Sequence, residues 1–156
     1  MDYDERSAGG IVFKKSDGQI KWLLIKTANF RRGNDRNYQP QKKAVFKFPK
    51  GHLQKDEFLK EAALREVEEE GRVKTRIVAK IGSNNYFISD KLTKKKIVKK
   101  VTFFLMEYVG DSELRHFDKE MVIDRQWLDY ETALELLAYD SEKTLLRKTR
   151  QKLESL

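Results

Sequence analysis

Between Asp56 and Glu70 the chain sets seven carboxylates and two basic residues, a local charge of −5 in a protein of net charge +8, which leaves +13 everywhere else. The same segment carries Leu59, Ala63, Leu64 and Val67 at helical spacing, with Ala62 adding helix propensity. One helix over Glu57 to Glu70 is therefore expected, with Gly71 as its stop. Such a helix can bury only one side, so the fold must supply an apolar surface beneath it. It must also place a row of glutamates where something can neutralise them.

The flanking sequence supplies that surface as strands. Ala8 to Phe13 and Ile20 to Lys26 are rich in β-formers and flank the turn signal Ser16-Asp17-Gly18-Gln19, which predicts a hairpin. Residues 28–44 read as a polar surface loop with five basic side chains. Val45 to Phe48 is a short strand that Pro49-Lys50-Gly51 should break. Arg76 to Ser89 and Ile97 to Val109 read as strands around a lysine-rich turn, and Met121 to Leu128 as another. Glu131 to Tyr139 and Ser141 to Leu153 read as helices. No linker or repeat divides the 156 residues, and this order predicts a single α/β or α+β sandwich.

Composition removes several chemistries. With no cysteine there is no disulfide, thiolate zinc site or Cys nucleophile, so any metal must sit on oxygen or imidazole. No apolar stretch approaches the length of a membrane span, and the first residues lack a leader pattern, so a cytoplasmic setting is expected. The positive excess favours polyanionic partners without choosing among nucleotides, RNA, inositol phosphates or anionic membrane.

At about 100° per residue, Glu66, Glu69 and Glu70 share one face of the helix. They are either a solvated face, with Arg65 pairing to Glu61 and Glu69, or a site for a hard divalent ion such as Mg²⁺ or Mn²⁺. The spacing bears on that choice. Gly51, five residues, Glu57, seven residues, then Arg65-Glu66-Val67-Glu68-Glu69-Glu70-Gly71-Arg72-Val73 resembles the signature box of the Nudix hydrolases. Gly51, Glu57, Arg65, Glu66, Glu69, Glu70, Val67 and Val73 match it. Arg72 stands where the family has glycine, with Gly71 one place early; either the helix ends one residue sooner or Arg72 strains the exit turn.

The resemblance implies an α/β/α sandwich with a mixed central sheet, and cleavage of a pyrophosphate bond in a nucleoside diphosphate derivative with Mg²⁺ or Mn²⁺. By position, Glu66, Glu69 and Glu70 would hold the metal, aided by a backbone carbonyl near Lys50, while Glu57 and Arg65 brace loop and helix. The general base would come from the box or from a later loop, where Glu120 is the candidate.

Phe48-Pro49-Lys50-Gly51-His52 resembles the entry to the box in the asymmetrical diadenosine tetraphosphate hydrolases, which implies a dinucleoside polyphosphate substrate. Lys50 and His52 would then meet phosphate. Six of the ten residues from Lys91 to Lys100 are lysine, and Lys99 and Lys100 are the candidates for further phosphate contacts. Tyr86 and Phe103 are candidates to stack on a base. Trp22 and Trp127 read as core, and His116 has no informative neighbours. The rival readings are an RNA 5′-end or inositol pyrophosphate hydrolase, with RNA admitted as a partner, and a non-catalytic nucleotide- or RNA-binding module. Oligomeric state is not legible.

Overall fold

The computed structural model describes residues 5–28, 44–89, 92–114 and 121–156. Strand β1 (Glu5–Ser16) turns through Asp17 and Gly18, both at left-handed φ, into β2 (Gln19–Ala28). Two residues at positive φ form the tight turn whose twist suits a hairpin. Then come β3 (Val45–Lys47), β4 (Lys50–His52), α1 (Leu59–Gly71), β5 (Val73–Ser89), β6 (Lys96–Asp111), β7 (Met121–Leu128), α2 (Tyr130–Leu136) and α3 (Asp140–Glu154). The sheet runs β3-β2-β1-β6-β5, with β4 also paired to β1 and β7 to β2. It is mixed, since β1 and β6 are parallel and the remaining pairs antiparallel.

Strict alternation along the central strands divides the core into two layers. In β6, Val101, Phe103 and Leu105 face one side with Ile11, Phe13, Trp22 and Leu24, under Ala133 and Leu137 after β7 and Leu145 and Leu146 of α3. Phe104 and Met106 face the other side with Ala8, Val12 and Leu23, where Ala62, Ala63 and Val67 of α1 cover them. The result is an α/β/α sandwich. Complete burial of a side chain such as Phe103 or Leu105 stabilises it by about 1.5–3 kcal/mol. The α1 layer sits close because Gly10 lacks a side chain: a Cβ there would lie 2.5 Å from Met106 Sδ and 2.7 Å from Val67 Cγ2.

Four expectations change. Pro49-Lys50-Gly51 does not leave the sheet; Lys50–His52 is itself a strand, antiparallel to Ser7–Gly9. Helix α1 starts at Leu59 rather than Glu57 and includes Gly71, with Arg72 following in a left-handed conformation. Helix α2 ends at Leu136, because Leu137 bridges to Phe46 and Ala138 N–H donates to Phe46 O. Strand β5 begins at Val73, ahead of the expected Arg76. Most of the predicted basic loop, together with His116 and Glu120, lies outside the described residues.

Candidate active site

The site begins with one arginine. Arg65, half-buried on α1, donates from Nε to Glu57 Oε2 at 2.7 Å and from Nη2 to Glu57 Oε1 at 2.9 Å. Nη2 also reaches the carbonyl of His52 at 2.9 Å, and Nη1 reaches Glu66 Oε1 at 2.8 Å and Glu69 Oε2 at 3.3 Å. The hydrogen bond to Glu57, then those to and the charge of Glu66, holds the guanidinium pKa well above its ordinary value despite burial. Glu57 in turn accepts the Gln54 N–H at 2.9 Å. A two-pronged arginine–carboxylate pair has fixed geometry, so this one fastens the loop after β4 to the middle of α1.

The glutamates follow from that clamp. Glu66 is buried, and its carboxylate lies against Gly51, where a Cβ would stand 2.1 Å from Glu66 Cδ. Glu70, also buried, accepts the Lys50 N–H on Oε1 at 3.0 Å. Its carbonyl accepts from Arg125 Nε of β7 at 2.6 Å. Glu69 stays half-buried beside Arg65. The three carboxylates thus gather along one seam between β4 and α1, each turned toward a protein donor. Among the described residues no three His, Asp or Glu side chains converge closely enough to hold a metal ion. As a donor set the seam suits a hard divalent ion: all oxygen, charged, and with Gly51 keeping the space beside Glu66 clear of side chain.

Lys50 joins this seam to a cleft. Its N–H faces Glu70, and its side chain lines a cleft of about 350 Å³ with Lys47, Tyr86, Phe87, Lys99, Tyr139 and Glu142. Of the residues singled out from sequence, Lys50, Lys99 and Tyr86 meet in this cleft. Phe103 does not: it is completely buried and packs edge-on against Phe48. Lys100 alternates to the opposite face from Lys99, beside Arg6. His52 is exposed and outside the cleft lining; its Nδ1 lies 3.4 Å from Ser7 Oγ.

Sequence reasoning missed Lys47, Phe87, Tyr139, Glu142 and Arg125. Lys47 alternates with Phe46 and Phe48, the one signal that it sits apart from its apolar neighbours. Glu142 looked like an ordinary acidic residue in the first turn of a helix.

A family model described as NUDIX domain matches residues 4–148. The chain belongs to the NUDIX family. A Mycobacterium tuberculosis protein named as a mutator protein, MutT4, is 31% identical over 146 residues, which are 90% of this chain. The chain spans about half the length of that curated relative, 52%. Among solved structures, a C. elegans Ap4A hydrolase in a binary complex superposes with a TM-score of 0.68 at 24% identity, covering 97% of this chain and 99% of that one. The NUDIX domain of Shewanella oneidensis NrtR, complexed with ADP ribose, gives 0.69 at 17% identity, covering 98% and 90%. These likenesses are likenesses of fold. In this NUDIX chain the glycine place of the box is filled by Arg72 at φ 59°, the left-handed conformation that glycine adopts without steric cost. Among the described residues no helix is long and apolar enough to cross a membrane.

Proposed function

We propose that the chain hydrolyses a pyrophosphate bond in a nucleotide with the aid of Mg²⁺ or Mn²⁺, and that its substrate is a dinucleoside polyphosphate such as diadenosine tetraphosphate, split to ATP and AMP. The observation that carries the reading is the double engagement of Lys50, whose backbone meets a box glutamate while its side chain enters a cleft holding two more lysines and three aromatic rings. Cations beside rings suit a ligand with a phosphate chain at one end and a base at the other. The Ap4A hydrolase and ADP ribose complexes among the structural neighbours agree with a ligand of that kind.

In this reading Glu66, Glu69, Glu70 and the Lys50 carbonyl would hold the ion. When bound, it supplies charge neutralisation on the diphosphate oxygens and acidifies water. The chain's own residues do the rest. The Glu57–Arg65 clamp keeps the loop and helix in register, so that only the carboxylate side chains, and not the backbone that carries them, need turn toward ion and substrate. Lys47, Lys50 and Lys99 bind phosphate oxygens, and Tyr86 and Tyr139 flank the base. Water adds to one phosphorus, the bridging P–O bond breaks, and the water proton passes to a carboxylate of the box or to Glu120.

Purified protein assayed with Mg²⁺ or Mn²⁺ against diadenosine tetraphosphate, nucleoside triphosphates, triphosphorylated RNA, inositol pyrophosphates and ADP-ribose tests the reading by kcat/KM and product identity. Glu69→Gln is expected to lower hydrolysis by at least about a hundredfold while substrate binding persists. Phosphate release equal to wild type would remove the seam from the chemistry. Binding without turnover on every substrate would favour the non-catalytic reading.

A further inference from the structure

Phe48, Pro49 and Lys50 are strung between the two helical layers. Phe48 N–H donates to Glu142 Oε1 at 3.0 Å, with both residues fully buried. Pro49 has no N–H, and its carbonyl accepts from Gly10 N–H at 3.1 Å. Lys50 N–H donates to Glu70 Oε1 at 3.0 Å. One carboxylate from α3 and one from α1 therefore grip amides two residues apart, from opposite faces of the sheet, while β1 holds the middle. A second set of contacts reinforces the α3 side: Ala138 N–H donates to Phe46 O and Leu137 bridges Phe46, so the segment leading into α3 is sewn to the strand leading into the tripeptide.

Glu142 is an unusual occupant of its place. Leu145, Leu146 and Thr149 of the same helix are core, and an apolar residue at 142 would pack among them but take away the acceptor of the buried Phe48 N–H. A carboxylate with 1% exposure is costly to bury unless it is hydrogen-bonded. Its bond to the Phe48 amide is charge-assisted, roughly twice as strong as a neutral one. Glu142 also lines the cleft that Lys50 enters.

We propose that Glu142 is a positioning residue: from α3 it sets the height of the Phe48–Lys50 tripeptide, and so aligns the Lys50 side chain in the cleft with its amide at Glu70. Its effect on Lys50 passes through this tether. The kinetic consequence rests on the hydrolase reading above; the mechanical one does not.

The experiment compares full-length wild type with Glu142→Gln, Glu142→Ala and Glu142→Asp. Gln keeps a carbonyl acceptor at the same reach; Ala deletes it; Asp keeps the charge but shortens the arm, and it replaces Ala in the comparison should Ala not fold. Amide hydrogen exchange is read at Phe48 and Lys50 against the rest of the sheet. In Ala and Asp these two amides are expected to lose protection by about tenfold or more while the β1–β2 amides keep theirs, with Gln within about threefold of wild type. On diadenosine tetraphosphate, kcat/KM should fall at least about tenfold in Ala and Asp, and Gln should keep both the rate and the pH profile of wild type. Unchanged Lys50 protection in Ala, a loss spread evenly over the sheet, or a Gln variant as damaged as Ala would each overturn the proposal. If wild type hydrolyses none of the substrates, the hydrolase reading fails, while the exchange measurement still decides the tether.

Discussion

Arg72 shows what a single residue can do at a place where its family has glycine. Its backbone sits at φ 59°, ψ 34°, its N–H donates to Glu68 O, and its carbonyl accepts from Ser112 N–H at 3.0 Å. Its guanidinium donates to the carbonyl of Leu114. A left-handed conformation costs an L-residue roughly 1–2 kcal/mol, and a hydrogen bond to a charged donor is worth about 1.5–3 kcal/mol. The helix therefore continues through Gly71, and the side chain offsets the strain of the exit. Arg72→Ala should be less stable than Arg72→Gly by about 1 kcal/mol in urea unfolding, because both lose the bond and alanine alone keeps the strain. Equal stabilities would mean that the left-handed exit is not maintained. At this scale the sequence was legible where partners are one helical turn apart, as for Arg65 and Glu69, whereas the Glu57–Arg65 pair was implied only by the resemblance and Glu61 turns instead to the Phe58 N–H. The sequence was illegible where register decides. Nothing local distinguishes Lys99 from its neighbour Lys100, yet pairing with β1 turns one into the cleft and the other away.

Among the elements, the three helices and the long strands were visible from their periods. β4 was not, because a Pro-Lys-Gly sequence carries no strand signal and becomes one only by pairing with residues more than forty positions earlier. The end of α2 was likewise set from outside, by Phe46. The start of α2 is local: Asp129 caps it, its Oδ1 accepting the Thr132 N–H at 2.8 Å. That bond, then the Thr132 side chain, holds the Asp129 carboxyl below its usual 3.8. The folded state thus binds the proton less readily than the unfolded chain, and the cap stabilises above about pH 3.8, losing its effect as pH falls through the lower folded value. Thermal unfolding should show Asp129→Ala less stable than wild type near neutrality, with the gap narrowing in acid. A gap independent of pH would leave the charge without a part in the cap.

For the molecule as a whole, strand and helix order was enough to predict a layered sandwich, but not the parallel pairing of β1 with β6 that brings the cleft and the box to the same end of β1. Concentrating negative charge on α1 leaves a surplus of cations elsewhere, and Lys47, Lys50 and Lys99 share the cleft. Substrate capture should therefore weaken with ionic strength: raising salt from about 0.05 to 0.5 M should raise KM several-fold with kcat little changed. A salt effect confined to kcat would argue against lysine-led capture.

The β5–β6 ribbon carries register shifts at Lys74/Thr75, Ile77/Ala79 and Lys80/Gly82, and beyond them it presents Tyr86, Phe87 and Lys99 to the cleft. Bulges of this kind bend and twist a ribbon without disturbing the sheet that anchors it. Tyr86 and Phe87 therefore stand on the bent half of the ribbon, with Lys99 tied to Glu5 of β1, whereas the carboxylates of the box are clamped at α1. Changes confined to the ribbon's outer half can therefore reshape the cleft while leaving the box and its arginine clamp as they are.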